Sequence, residues 1–595
     1  MELKLRNEMD PRFKWDLSHI FPNKEAWEKA YKEAEEEIGR IGALKGTLGE
    51  SAQSLQKALD ARANASQKTE LVYVYTFLQK SGDNGDPEYQ DMESRGMNLY
   101  VRLEMASSYI EPEILSIPKD KLDEYMKEEG LKTYRHYIED VDRSREHTLD
   151  AEREHMLAML SEAANTPSDC FEMLESVDMS FPTIKDESGK EVQLTHGNFG
   201  VFRESKERRV REEAFLTFFS EFKKYLNTFA AMYGGKVKFD NYFTRVRKFE
   251  SACERALFAN NVPVSVYDSL IEAIHNALPT MKQYLGLRKE VLGLDKIDMF
   301  DLYTPMVADI EYEMPFDKAK EMVKEALKPL GEDYQKLLDK AYAESWIDVY
   351  ENKGKTTGAY SCGVFGVHPY VLLNYTDTLD DVFTLAHELG HAMHSYLSAE
   401  ANDYINHDYR ILVAEVASTV NEVLLTKHLL KTETDPKRRA YILNHFLEGF
   451  RTTVLRQTLF AEFERRAHEM NYAGEPLTAQ SLSKVYKELI SLYYNGAEIN
   501  DIMEMEWAYI PHFYRGFYVY QYATGFSSAV TIATNILKTG DASNYLKFLS
   551  TGGSDYPLNE LKIAGIDLTK PDTVAEAMRV FQETLDELET VLKGA

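Results

Sequence analysis

The chain has 595 residues, 44% of them hydrophobic, and its 69 Lys and Arg stand against 98 Asp and Glu for a formal charge of −29. That length and apolar content exclude general disorder and suffice for two or more lobes, while the acidity argues against nucleic acid or an anionic membrane surface as partner. Three widely spaced cysteines, Cys170, Cys253 and Cys362, exclude a disulfide framework and a cysteine metal site. The first ten residues lack the apolar core of a signal peptide and no run of 18 apolar residues occurs. The expectation is a cytoplasmic chain that neither crosses nor binds a membrane.

Residues from about 15 to 165 are predicted to be mostly helical. Trp27–Ile41, Ala52–Asn64 and Leu71–Leu78 carry a helical apolar period among many Glu and Lys. Gly82–Pro87 reads as a turn, and Pro112 and Pro118 break the next segments. Acidic runs such as Glu33–Glu37 read as solvated faces. Near 180 the texture changes: Phe181–Lys185 and Glu191–Thr195 flank Asp186-Glu-Ser-Gly189, the pattern of a hairpin. A boundary near 190 then gives an N-terminal helical lobe over 1–190 and a second domain over 191–595. Helices are expected to continue to about 343, broken at Pro263, Pro279, Pro315 and Pro329.

Gly358–Tyr375 is the clearest β-rich stretch, with Gly358, Gly363, Gly366 and Pro369 suiting edge strands. Such strands can receive an extended peptide along the edge, or form a small structural sheet with no ligand. Cys362 lies among them with no activating neighbour and is expected to be an inert thiol. The fold class is mostly α, with a small β-sheet next to the helix that follows.

That helix organises the chain. Thr378–Leu397 contains His387-Glu388-Leu389-Gly390-His391, and residues four apart stand one above the other on a helix. Both imidazoles can therefore reach one metal ion, while Glu388 projects about 100° round the helix beside it. The spacing suits a metal-activated water with Glu388 as general base. Thr378 and Asp381 have the form of a capping box, and Val382, Leu385, Leu389 and Met393 give an apolar side. A helix carrying two packed, hydrogen-bonded histidines would fill the same positions without a metal.

A catalytic zinc takes a third protein ligand and leaves one position for water. His394 lies seven residues from His387, roughly 10 Å along the axis, and is assigned to packing or to support of the site. Leu397 occupies the place where other zincins carry a third histidine. Downstream, Ile411–Glu422 reads as another helix. Glu415 is set among apolar residues, where an unpaired carboxylate is costly and a metal would neutralise it. Glu422 shares its face and is the rival ligand or a supporting residue. Spacing prefers Glu415 and leaves Glu422 open.

The segment His387–His394, followed by Val413-Ala-Glu415-Val-Ala-Ser418, resembles the thimet oligopeptidase and oligoendopeptidase F family of zinc metallopeptidases, in particular oligoendopeptidase F. Trp15-Asp-Leu-Ser18, Gly358-Ala-Tyr-Ser361, Phe450–Gln457, Pro511-His-Phe-Tyr514 and Tyr518–Gly525 extend the likeness over most of the chain. The resemblance implies a two-lobed helical ellipsoid with a deep substrate channel. It implies one Zn2+ per chain held by His387, His391 and Glu415, with Glu388 as base, and short unstructured peptides as substrates. Members of the family stabilise the transition state with a histidine and tyrosines. Aligned on Gln521, Tyr518 and Tyr522 fall on two of those tyrosines, Gly525 replaces the last, and His512 matches after one inserted residue. His512, Tyr518 and Tyr522 are thereby implied as oxyanion donors.

The expected reaction is hydrolysis of an internal peptide bond, with no cofactor beyond Zn2+. Two other readings stand beside it. One is a peptidyl-dipeptidase releasing C-terminal dipeptides, which needs a carboxylate-binding arginine that the sequence does not place. The other is a non-catalytic peptide-binding protein on the same scaffold, against which an intact Glu388 argues.

Overall fold

The computed structural model describes residues 3–307 and 313–594, so positions 308–312 of the helical stretch expected up to 343 lie outside the described residues. Helices dominate, and the strands form two small sheets. No described helix is long and apolar enough to cross a membrane. The chain gathers into two compact units. The first comprises Met1–Glu146, Glu311–His428 and Ile532–Ile566; the second comprises His147–Ile310, Leu429–Thr531 and Asp567–Ala595.

In the first unit, helices Lys24–Ile41, Ala52–Gly82 and Pro87–Ser107 pack together around Trp27, Leu55, Leu59, Val72, Leu99 and Leu103. The two stretches predicted separately at 52–64 and 71–78 are one helix, because no Gly or Pro separates them. Trp27 satisfies its buried indole by donating to the carbonyl of Val72 at 2.9 Å. Asp86 caps the third helix ahead of Pro87, which suits its first turn.

The hairpin near 186 is present: β1 (Thr183–Lys185) pairs antiparallel with β2 (Glu191–Gln193), Ile184 facing Val192. A second sheet, in the first unit, is built from β3 (Ile347–Asp348), β4 (Tyr360–Cys362) and β5 (Tyr370–Leu372) in the order β3-β5-β4. β5 runs parallel to β3 and antiparallel to β4, with Tyr360 opposite Leu372 and Cys362 opposite Tyr370. Tyr370 and Leu372 pack against Trp15, Val74 and Leu78, which joins the sheet to helix Ala52–Gly82. Beneath it, the buried carboxylate of Asp348 takes Arg6 at 2.8 Å and Lys355 at 2.8 Å, so the N-terminal segment is tied to β3 by a paired charge. β4 is an edge strand, and a Cβ at the following Gly363 would lie 3.0 Å from Ser395 Cβ. The residue following β4 therefore packs against the helix of His387.

The expected break at Pro279 is not there. Helix Val264–Val291 runs through it. A proline inside a helix costs about 3 kcal/mol, but Leu270, Ile274, Ala277, Met281, Tyr284 and Leu285 are buried on both sides of it. Burial of several such side chains, each contributing about 1.5–3 kcal/mol, outweighs the loss.

Candidate active site

The helix Leu379–Ala401 begins as its sequence requires: Thr378 caps Asp381 N at 3.2 Å and the Asp381 carboxylate accepts from Thr378 N at 2.9 Å. His387, Glu388 and His391 lie in its middle, and Glu415 and Glu422 lie on helix Ile411–Thr432. All five belong to the first unit.

Three ligand atoms converge there. His387 Nε2 and His391 Nε2 are 3.2 Å apart, and Glu415 Oε2 lies 3.4 Å from the first and 3.5 Å from the second. Tetrahedral coordination with bonds of about 2.05 Å separates neighbouring ligand atoms by about 3.3 Å, so this near-equilateral triangle has the dimensions of three corners of a metal site. The donor set agrees. His387 Nδ1 donates to Glu422, so in the neutral ring that a metal would select, Nε2 is a lone pair aimed at the same point as the carboxylate oxygen of Glu415. Two imidazole nitrogens and a carboxylate oxygen facing one point are a donor set that suits a divalent cation. Of the two rival carboxylates, Glu415 lies at the third corner of the triangle, and Glu422 meets the other ring nitrogen of His387 from behind. Ser418 Oγ, 3.0 Å from Glu415 Oε2, steadies the third corner.

The two helices come unusually close. A Cβ added to Gly390 would lie 2.6 Å from the Ala417 carbonyl oxygen and 2.6 Å from Ser418 Cα. Asn421 pins the crossing by donating to the Ala386 carbonyl at 3.0 Å, and Tyr334 donates to Asn421 Oδ1 at 3.1 Å. Gly390, Ser418 and Asn421 were not singled out from the sequence. A glycine inside a strong helical pattern is the signal that could have exposed the first.

Charge follows the geometry. Burial lowers His387, but its hydrogen bond to Glu422 and the neighbouring carboxylates carry it up to about 9. Contact with His391 holds Glu415 at about 2 against the opposing effect of burial. Glu388 is 7% exposed, and burial raises its carboxyl against the pull of His387 and His391. His394 is fully packed, stacked on Tyr409 with centroids 3.6 Å apart, outside the triangle. Burial pushes the Cys362 thiol up to about 12, which fits an inert residue.

His512, Tyr518 and Tyr522 belong to the second unit. Their rings form a cluster of their own, His512 being 6.4 Å from Tyr518 and 6.0 Å from Tyr522, with the tyrosines 5.4 Å apart edge to face. Phe517 adopts φ +57° at the turn that sets Tyr518 before helix Tyr520–Thr539.

The description of Peptidase family M3 matches residues 201–580, and that of Oligopeptidase F matches 113–181. Oligopeptidase PepF of Bacillus subtilis is 43% identical over 595 residues, covering 99% of this chain and 89% of that protein. Group B oligopeptidase PepB of Streptococcus agalactiae is 39% identical, with 99% of each covered. Among solved structures, oligoendopeptidase-F from Enterococcus faecium superposes with a TM-score of 0.73 at 39% identity, over 96% of this chain and 99% of that one. These likenesses run the length of the chain and include the segment bearing the triangle: the chain belongs to peptidase family M3, the oligoendopeptidase F metallopeptidases.

Proposed function

We propose that the chain is a zinc endopeptidase that cuts internal bonds of short, unstructured peptides, with His387, His391 and Glu415 as ligands and Glu388 as general base. The observation that carries this reading is the triangle of 3.2, 3.4 and 3.5 Å backed by Glu422. Zn2+ held there would polarise the scissile carbonyl and bring the pKa of a water towards neutrality. Glu388 takes the proton of the attacking water and returns it to the leaving amine; a carboxyl raised by burial keeps that proton long enough to deliver it. Glu422 and Ser418 hold their partners in register meanwhile.

The edge of β4, beside the His387 helix, offers main-chain groups to an extended peptide, which favours length and flexibility over sequence. His512, Tyr518 and Tyr522 are the donors we assign to the oxyanion, a contribution of about 3 kcal/mol in comparable sites. Their grouping into one cluster supports that assignment. The interval between the two matched family segments, 181 to 201, supports a functional division of the sequence near 190.

The test is metal analysis of Glu415→Gln and Glu422→Gln, together with cleavage of internally quenched peptides of graded length and mass spectrometry of the products. Loss of zinc in the first variant and retention in the second is expected, with cuts at internal bonds. Zinc retained in Glu415→Gln and lost in Glu422→Gln would overturn the ligand set. Exclusive release of C-terminal dipeptides would overturn the endopeptidase reading.

A further inference from the structure

A cavity of about 460 Å3 lies in the first unit, along the same helix as the metal triangle. Ser395 and Ala399 line it, one and two turns beyond His391, which is roughly 6 and 12 Å along the axis. Gly363, Val364 and Phe365, the residues directly after edge strand β4, form another wall. A peptide lying along β4 therefore passes the mouth of this cavity within two or three residues of the scissile bond, at about 3.3 Å per residue.

Its lining is acidic and aromatic. Glu70 and Asp408 both line it; Arg410, beside Asp408, spends its guanidinium on Asp140 at 3.0 Å, and His407 is the neighbour whose charge would favour both carboxylates. Tyr404 donates to Glu70 at 2.7 Å, and the rings of Phe365, Tyr404 and His407 stand in mutual contact at 4.9 to 5.4 Å. His407 Nδ1 is held by the Tyr404 carbonyl at 2.6 Å. Arg62 is the one cation in the lining, and its guanidinium is turned to Tyr137, donating to that hydroxyl at 2.6 Å and lying over the ring. Glu70 is part-buried and burial raises its carboxyl, a cost that an entering cation would relieve, while Asp408 stands exposed at the rim. Carboxylates beside aromatic faces are the surroundings that a planar guanidinium fits best.

We propose that this cavity is a specificity pocket for a basic side chain of the substrate, arginine above lysine, two or three residues from the bond that is cut. The proposal rests on the endopeptidase reading. It is tested with internally quenched peptides of one sequence that carry Arg, Lys, Leu or Glu in turn at the second and third positions on either side of the bond. At one of these positions Arg should exceed Leu by about tenfold in kcat/KM, with Lys between them and Glu lowest. In Asp408→Asn, and separately in Glu70→Gln, the Arg-to-Leu ratio measured within the same variant should fall towards one, mainly through KM. Binding of the Arg and Leu peptides to Glu388→Gln should show the same ratio in Kd. If the Leu peptide is cut internally but no position favours a basic residue, the pocket assignment is wrong and the endopeptidase reading stands. A preference that survives in both carboxylate variants also overturns the assignment. If no peptide of the set is cut internally, both readings fall.

Discussion

Gly390→Ala is the substitution that most directly probes how the triangle is built. The new methyl carbon would sit 2.6 Å from Ala417 O and from Ser418 Cα, where ordinary contact begins at 3.4 Å. Both obstacles are backbone, so no side chain can swing aside, and the helices must part by about 0.8 Å. Gly390 adjoins His391, and Ser418 follows Glu415 by three residues. A displacement of that size takes the 3.4 and 3.5 Å edges of the triangle to roughly 4.2 Å, too wide for three bonds of about 2.0–2.1 Å to one ion. Overpacking of this kind costs about 1–3 kcal/mol, and if it is relieved at the site the metal affinity falls roughly 10- to 100-fold. Gly39→Ala is the control: Gly39 is also helical, but a Cβ there meets nothing within 4 Å, so it should be neutral or stabilising by up to about 1 kcal/mol. The assay is competition for zinc with a chromophoric chelator, with thermal melts of both variants. A Gly390→Ala protein that keeps its zinc affinity within twofold and its Tm unchanged would refute the close crossing as the determinant of the site.

Glu388→Gln should retain zinc and peptide binding and lose about 10²- to 10⁴-fold in turnover, measured at saturating substrate; substantial residual activity would remove Glu388 from proton transfer. Glu422→Ala should weaken zinc binding about 10- to 100-fold by freeing the His387 ring, while Glu422→Gln, whose amide oxygen still accepts from Nδ1, should lose less; equal losses would refute the orienting role. Glu560 is buried with no side-chain partner for its carboxyl, and burial together with the Asp555 charge raises it to about 8. Its folded pKa lies above the unfolded value, so it binds more protons when folded and stability falls as pH rises from about 4.5 to 8. Glu560→Gln should therefore raise Tm by several degrees at pH 8–9 and leave it unchanged at pH 4, as read from melts across that range; no gain at high pH would refute the buried neutral carboxyl. Unstructured peptides of roughly ten residues, about 30 Å when extended, should be cut rapidly while disulfide-locked folded proteins resist; comparable rates would point to a site open to folded chains.

The metal helix was legible because everything it needs is local. Two histidines four apart, a capping box whose ends are three apart and an apolar stripe are all local features of a helix. Spacing preferred Glu415 over Glu422 only modestly, and the family likeness made the choice, since both fall on one face of the same helix and differ in which ring nitrogen of His387 they meet. The closeness of the crossing at Gly390 is likewise a property of two segments some thirty residues apart in sequence. Pro279 misled because a local cost was read without the burial on either side that overrides it. The cavity beside the site draws its acids from Glu70 and Asp408, more than 300 residues apart, and no spacing rule joins them.

Each of the two units is stitched from three separate stretches of chain, and this sets the order of events on the ribosome. The leading stretch carries a core of its own, from Trp27 to Val141, that can collapse as soon as it emerges. The histidines and Glu415 come out much later, and the unit that holds them is closed only when Ile532–Ile566 has been made. A nascent chain stalled before that point exposes the metal-binding segment on an unfinished scaffold. Competence to bind the ion is thus acquired only near the end of synthesis, and no contiguous fragment shorter than almost the whole chain should acquire it.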